Sequence, residues 1–176
     1  MLSAIADRAG VRVTPRNEAY YRRIAEKALA VAGVVEPPVS IPDIIASLGI
    51  PIVPVNLPQF FTAAIIAEDG VPVMVSNFAK PEHERRRALA HMLGHVLLLQ
   101  EDPQIGYPRQ TTDHAEADII AHELTMPMLM VLEQSRLWFN DYRYLSRLFA
   151  VGEGAMLERM RELGIVENQQ PVRWDY

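Results

Sequence analysis

A chain of 176 residues, 49% hydrophobic and 22% charged, has ordinary globular composition and fits one domain, residues 1–176, around a single core. Its formal charge of −5 and pI of about 5.5 supply no positive field for a phosphate backbone, which argues against nucleic acid as a partner. The absence of cysteine excludes disulfides and thiolate metal sites, and with no apolar run of signal-peptide or membrane-spanning length we expect a cytoplasmic protein that does not enter a membrane.

Residues 1–15 read as an arm ending at Thr14-Pro15, because the residue before a proline is pushed out of the helical region. Glu18 to Ala32 then sets Ala19, Ile24, Ala28, Leu29 and Ala32 among charged residues, the pattern of an amphipathic helix that Gly33 can close in the left-handed conformation. Ser40 is a good N-cap for a short helix opened by Pro42 and running to Leu48, with Gly49 beyond its end.

From Ile50 to Ser76 the periodicity changes. The runs Ile50 to Val55, Phe61 to Ala67 and Val71 to Ser76 are rich in β-branched residues, and Glu68-Asp69-Gly70 suits a tight hairpin between the last two. Pro51 and Pro54 each lack a ladder donor, which confines the first run to an edge. We expect a small antiparallel sheet of about three strands.

Pro81 suits a first helical turn, and Glu82 to Gln100 continues without another breaker. His91 and His95, four apart in this helix, project from one face within reach of a single ion, the spacing of the two zinc ligands in a His-Glu-x-x-His motif. Met92 stands where that motif has its glutamate. A thioether cannot take a proton from a zinc-bound water, so the metal-binding element arrives without its usual general base.

Glu101 to Thr112 contains Pro103, Gly106 and Pro108 and reads as a loop that turns the chain back. Thr112 or Asp113 can cap a second long helix reaching about Met126, with Ala117, Ile120, Ala121 and Leu124 in a buried stripe. Pro127 ends or kinks it, and Met126, Met128 and Met130 suit core gaps. Trp138 to Tyr144 has no clear pattern. Leu145 to Ala150 and Ala155 to Leu163, closed by Gly164, form a C-terminal helical hairpin within 144–166 that has the outline of a helix-turn-helix. Residues 131–176 hold six arginines against seven acidic side chains, so charge favours a hairpin that closes the core over one that reads DNA.

Three protein ligands and an open position make a catalytic zinc site. Glu116, early on the second long helix, is the expected third ligand, with Asp113 on the same face as a further ligand or an acceptor for an imidazole N–H. His114 points about 200° from Glu116 and is the weaker candidate. His83 and His114 also read as solvated first-turn residues. His122-Glu123 begins no second zinc motif, because Met126 stands where the second histidine would be, and Arg85-Arg86-Arg87 reads as a solvated face.

The run from Arg87 to Leu98, Arg-Ala-Leu-Ala-His-Met-Leu-Gly-His-Val-Leu-Leu, followed by Glu116 to Pro127, Glu-Ala-Asp-Ile-Ile-Ala-His-Glu-Leu-Thr-Met-Pro, resembles the two motifs of the ImmA/IrrE metallopeptidases. The likeness covers about residues 17–166. It implies an α+β fold with a zincin-like helical body beside the small sheet, zinc held by His91, His95 and Glu116, and a helix-turn-helix repressor or other regulatory protein as partner. The resemblance fails at Met92, where the family has its catalytic glutamate. It therefore implies a peptidase-impaired binding or regulatory module; the alternative is an active zinc endopeptidase that cleaves such a repressor with a relocated base, Glu123 or the more remote Glu84.

Overall fold

The computed structural model describes residues 15–68, 71–101 and 115–166. In chain order these form α1 (Pro15–Val31), α2 (Ile41–Ser47), β1 (Ile52–Val55), β2 (Ala63–Glu68), β3 (Val71–Asn77), α3 (Glu82–Glu101), α4 (Ala115–Thr125), α5 (Met128–Leu137), α6 (Tyr142–Leu148) and α7 (Glu153–Glu162). The fold is α+β. Residues 1–14, the hairpin tip at Asp69-Gly70, and residues 102–114 with Asp113 and His114 lie outside the described residues.

Local chemistry sets most boundaries as expected. Gly33 and Gly49 follow their helices with φ of 66° and 72°, and the Ser40 hydroxyl accepts the Asp43 N–H at 3.4 Å. Pro15 opens α1 where the arm was expected to end, since a proline costs no hydrogen bond in a first turn. The unassigned aromatic stretch is a reversal. Phe139 and Asn140 take positive φ, and Asp141 then caps α6 by accepting the N–H groups of Arg143 and Tyr144 at 3.0 and 3.1 Å.

The sheet departs from the antiparallel expectation. Its order is β1-β3-β2, with β2 antiparallel to β3 but β1 parallel to it. The three strands alternate in direction along the chain, and β3 inserts between the other two, so its contact with β1 must be parallel. The prolines of β1 exclude that strand from the centre. β3, with Val73, Met74, Ser76 and Asn77 buried, takes the central place instead.

Insertion of β3 forces the chain to cross from β1 to β2, and Asn77 holds that crossing. Its Oδ1 accepts the N–H groups of Leu57 and Ala79, both at 3.2 Å, while Nδ2 donates to the carbonyls of Leu57 at 2.9 Å, Pro58 at 3.3 Å and Phe61 at 2.7 Å. Asn77 is fully buried, so its alanine variant leaves these groups to find water across a packed surface. We expect Asn77→Ala to lose roughly 1–2 kcal/mol of stability in urea unfolding, and a change within error would show that the loop holds itself.

One core gathers α1, α2, the sheet, α3 and α4 around Ile24, Ile41, Ile44, Met74, Leu93 and Ile120. A second lies beneath α5, α6 and α7 around Val131, Leu145, Phe149, Met156 and Met160. Met126 belongs to the second core, and the partly buried Met130 packs against both, consistent with methionine as a gap-filler. Arg86 links distant segments rather than facing water. Its Nε and Nη2 donate to the Val39 carbonyl at 3.3 and 3.1 Å and Nη1 to the Ala150 carbonyl at 2.6 Å, and burial lowers its pKa from the usual guanidinium value.

Candidate functional site

α3 packs against β2 and β3 and also against α4. It passes close to α4 at Gly94, where a Cβ would stand 2.7 Å from the Ala117 carbonyl oxygen. This contact decides which side of α4 meets the histidines. With Ala117 and Ala121 buried in the common core, Asp118 is brought beside His91 at the mouth of a groove between the helices.

The His91 and His95 rings meet edge to face, with planes 84° apart and Nε2 atoms 3.1 Å apart. His91 Nδ1 lies 2.7 Å from Asp118 Oδ1. His95 is buried, whereas His91 opens onto the groove of about 430 Å³. Thr62, just before β2, lines one wall with Glu84, Arg87 and Met92 of α3; Asp118, His122 and Thr125 of α4 line the other. Met92 lines the groove beside His91. Among the described residues the carboxylates on the groove are Glu84, paired with Lys80 at 3.3 Å, and Asp118.

Two expected residues are placed elsewhere. Glu116 stands towards α1, where burial first and the Glu116 charge second hold the Tyr21 hydroxyl above its ordinary range. Glu123 lies in a buried ion pair and not among the described groove residues. It is 1% exposed, its Oε1 accepts the Met128 N–H at 2.7 Å, and its other oxygen is paired with Arg159. The physical reason is rotation: five residues beyond Asp118 turn the side chain by about 140° away from the groove.

Two nitrogens bound to one zinc at about 2.0–2.1 Å in tetrahedral geometry lie roughly 3.3 Å apart, so the Nε2 pair at 3.1 Å fits two ligands of a common ion. Among the described residues no three histidine or carboxylate side chains converge into a cation site.

A helix bearing two histidines one turn apart, set between a small sheet and a second helix, defines a metallopeptidase-like α+β domain. The chain belongs to the IrrE N-terminal-like domain family, whose model matches residues 45–161. No curated protein matches the chain. No helix among the described residues is long and apolar enough to cross a membrane.

Asp118 is the site residue that sequence reasoning missed. Asp118 and Glu116 flank the Ala117 and Ala121 stripe on opposite sides, about 100° either way from Ala117, so the spacing offered both and the rotation of α4 chose Asp118.

Proposed function

We propose that this protein is a peptidase-impaired member of its family that keeps a zinc locus at His91 and His95 and acts by binding a regulatory protein, of the helix-turn-helix repressor kind, rather than by cutting it. The observation that carries this reading is Met92. It lines the groove at the position of the general base and offers no group to move a proton. Zinc, when bound, supplies a Lewis acid and a water of lowered pKa. The chain's own residues hold that locus and shape the groove, and the Met92 thioether next to His91 cannot take the proton. A missing general base typically costs about 10²–10⁴ in rate.

Support for binding comes from the sheet. Among the described residues β2 pairs with β3 on one side only, so its outer edge offers backbone donors and acceptors to an extended partner segment, and Thr62 leads from that edge into the groove. Glu84, which lines the groove, supports the alternative of an active endopeptidase with a relocated base.

Metal content and cleavage test both readings. The purified protein should carry zinc, and His91→Ala and His95→Ala should each lose it; a parent that takes up no zinc on refolding with excess metal would sink the zinc locus. The parent should leave a helix-turn-helix repressor intact, while Met92→Glu should fold, keep its metal and gain at most weak cleavage. Turnover by the parent at about 1 per second or more, abolished by Glu84→Gln, would establish the alternative.

A further inference from the structure

Three consecutive arginines of α3 point about 100° apart, so the fold gives each a different surrounding. Arg86 turns to the carbonyls of Val39 and Ala150, whereas Arg87 is exposed, falls within about 40° of His91 around the helix and lines the groove. Glu84, Arg87, Ala88, His91 and Met92 recur at the helical spacing, so the groove follows α3 for about 12 Å, the length of three to four extended residues. We propose that Arg87 is a specificity-determining residue of this groove, its guanidinium binding an aspartate or glutamate side chain of an extended partner segment.

The charges around it support that role. Glu84 has Lys80 at 3.3 Å, and Asp118 Oδ1 lies 2.7 Å from His91 Nδ1. Among the described residues no acid stands within ion-pair reach of Arg87, so its planar fork of N–H donors faces the groove with nothing to accept them. Ala88, Ala90 and Ala121 are small and leave space beside it. A single carboxylate suits this site better than a polyanion, because the net charge of −5 opposes a long run of negative charge while one guanidinium meets one carboxylate locally. The spacing agrees with an extended ligand. Alternate side chains of a strand lie about 6.6–6.8 Å apart on one face, and four residues of α3 separate Arg87 from His91 by about 6 Å along the axis, so a segment that sets one side chain at His91 sets another at Arg87.

This inference rests on the groove as a peptide-binding site, as proposed above, but not on zinc or on impaired catalysis. The test immobilises the full chain and presents pools of N-acetylated hexapeptide amides, each with Glu, Gln or Lys fixed at one position and degenerate elsewhere. The parent should retain a Glu pool roughly 2–5-fold better than the matching Gln pool, the worth of a partly exposed ion pair. Arg87→Gln should abolish that preference and Arg87→Glu should turn it towards Lys. Arg136→Glu, which makes the same charge change at an exposed position outside the groove, should leave it intact. Equal retention of Glu and Gln pools by the parent, or a Glu preference that survives in Arg87→Glu, overturns the role of Arg87 while leaving the groove a peptide site. A preference lost equally in Arg136→Glu overturns it too, since the effect is then one of net charge. Retention of no pool by the parent overturns both the role of Arg87 and the binding reading. Cleavage of the Glu pools, with the preference still reversed in Arg87→Glu, overturns impaired catalysis and supports Arg87.

Discussion

Arg159→Met is expected to remove roughly 3–5 kcal/mol of folding stability, the cost of leaving a buried charge without its partner. Arg159 and Glu123 are 3% and 1% exposed and are paired with each other. Around them the chain breaks between α4 and α5 at Pro127. Glu123 Oε1 accepts the Met128 N–H at 2.7 Å, and Arg159 Nε donates to the Met126 carbonyl at 3.2 Å, so the ion pair satisfies backbone groups on both sides of the proline. Arg159 Nη1 also reaches Glu162 at 3.3 Å. Methionine would fill much of the arginine's volume but leave the Glu123 carboxylate desolvated. Removing both charges, in Glu123→Met with Arg159→Met, should therefore cost less than the single arginine change, because only the two backbone groups then lose their partners. Urea unfolding of the two single variants and the double variant measures this. A double variant as unstable as the sum of the singles would show that the two charges are not coupled.

Gly94→Val should destabilise by about 3 kcal/mol. The Cβ of any larger residue would meet three backbone atoms of Ala117, the oxygen at 2.7 Å, the Cα at 3.1 Å and the carbonyl carbon at 3.2 Å, and backbone in a helix cannot step aside as a side-chain tip can. Alanine separates the two opposing effects. It gains up to about 1 kcal/mol of helix propensity over glycine, against an overpacking cost of up to about 3 kcal/mol, so a net loss near 2 kcal/mol is expected. Forcing α3 from α4 would also draw His91 from Asp118. A Gly94→Ala protein of unchanged or raised stability would mean that the helices separate without strain.

The helices were legible because they rest on local chemistry. Ser40, Gly33, Gly49 and Gly164 mark ends that hold wherever the chain packs, and the stripes through Leu89, Leu93, Ala117, Ile120 and Leu124 repeat at the helical period. The histidine pair was legible for the same reason: four residues along one helix set His91 and His95 on one face before any partner is known. Met92 carried its meaning in the same way, since its place relative to His91 is fixed by that helix. The edge position of β1 followed from its prolines.

Relations between elements required the tertiary structure. The parallel pairing of β1 and β3 depends on which of β2 and β3 takes the centre beside β1, and that is a relation between strands distant in sequence. The choice among the acids of α4 depends on how that helix is rotated. Glu116, Asp118 and Glu123 are all plausible on an isolated helix. The Gly94 contact with Ala117 sets the rotation, bringing Asp118 to His91, leaving Glu116 towards Tyr21 and burying Glu123 with an arginine from a helix far along the chain. Sequence by itself determined which side chains could do chemistry, because residue type and helical spacing are local. Only the fold decided which carboxylate meets the histidines, because that depends on a contact between two helices.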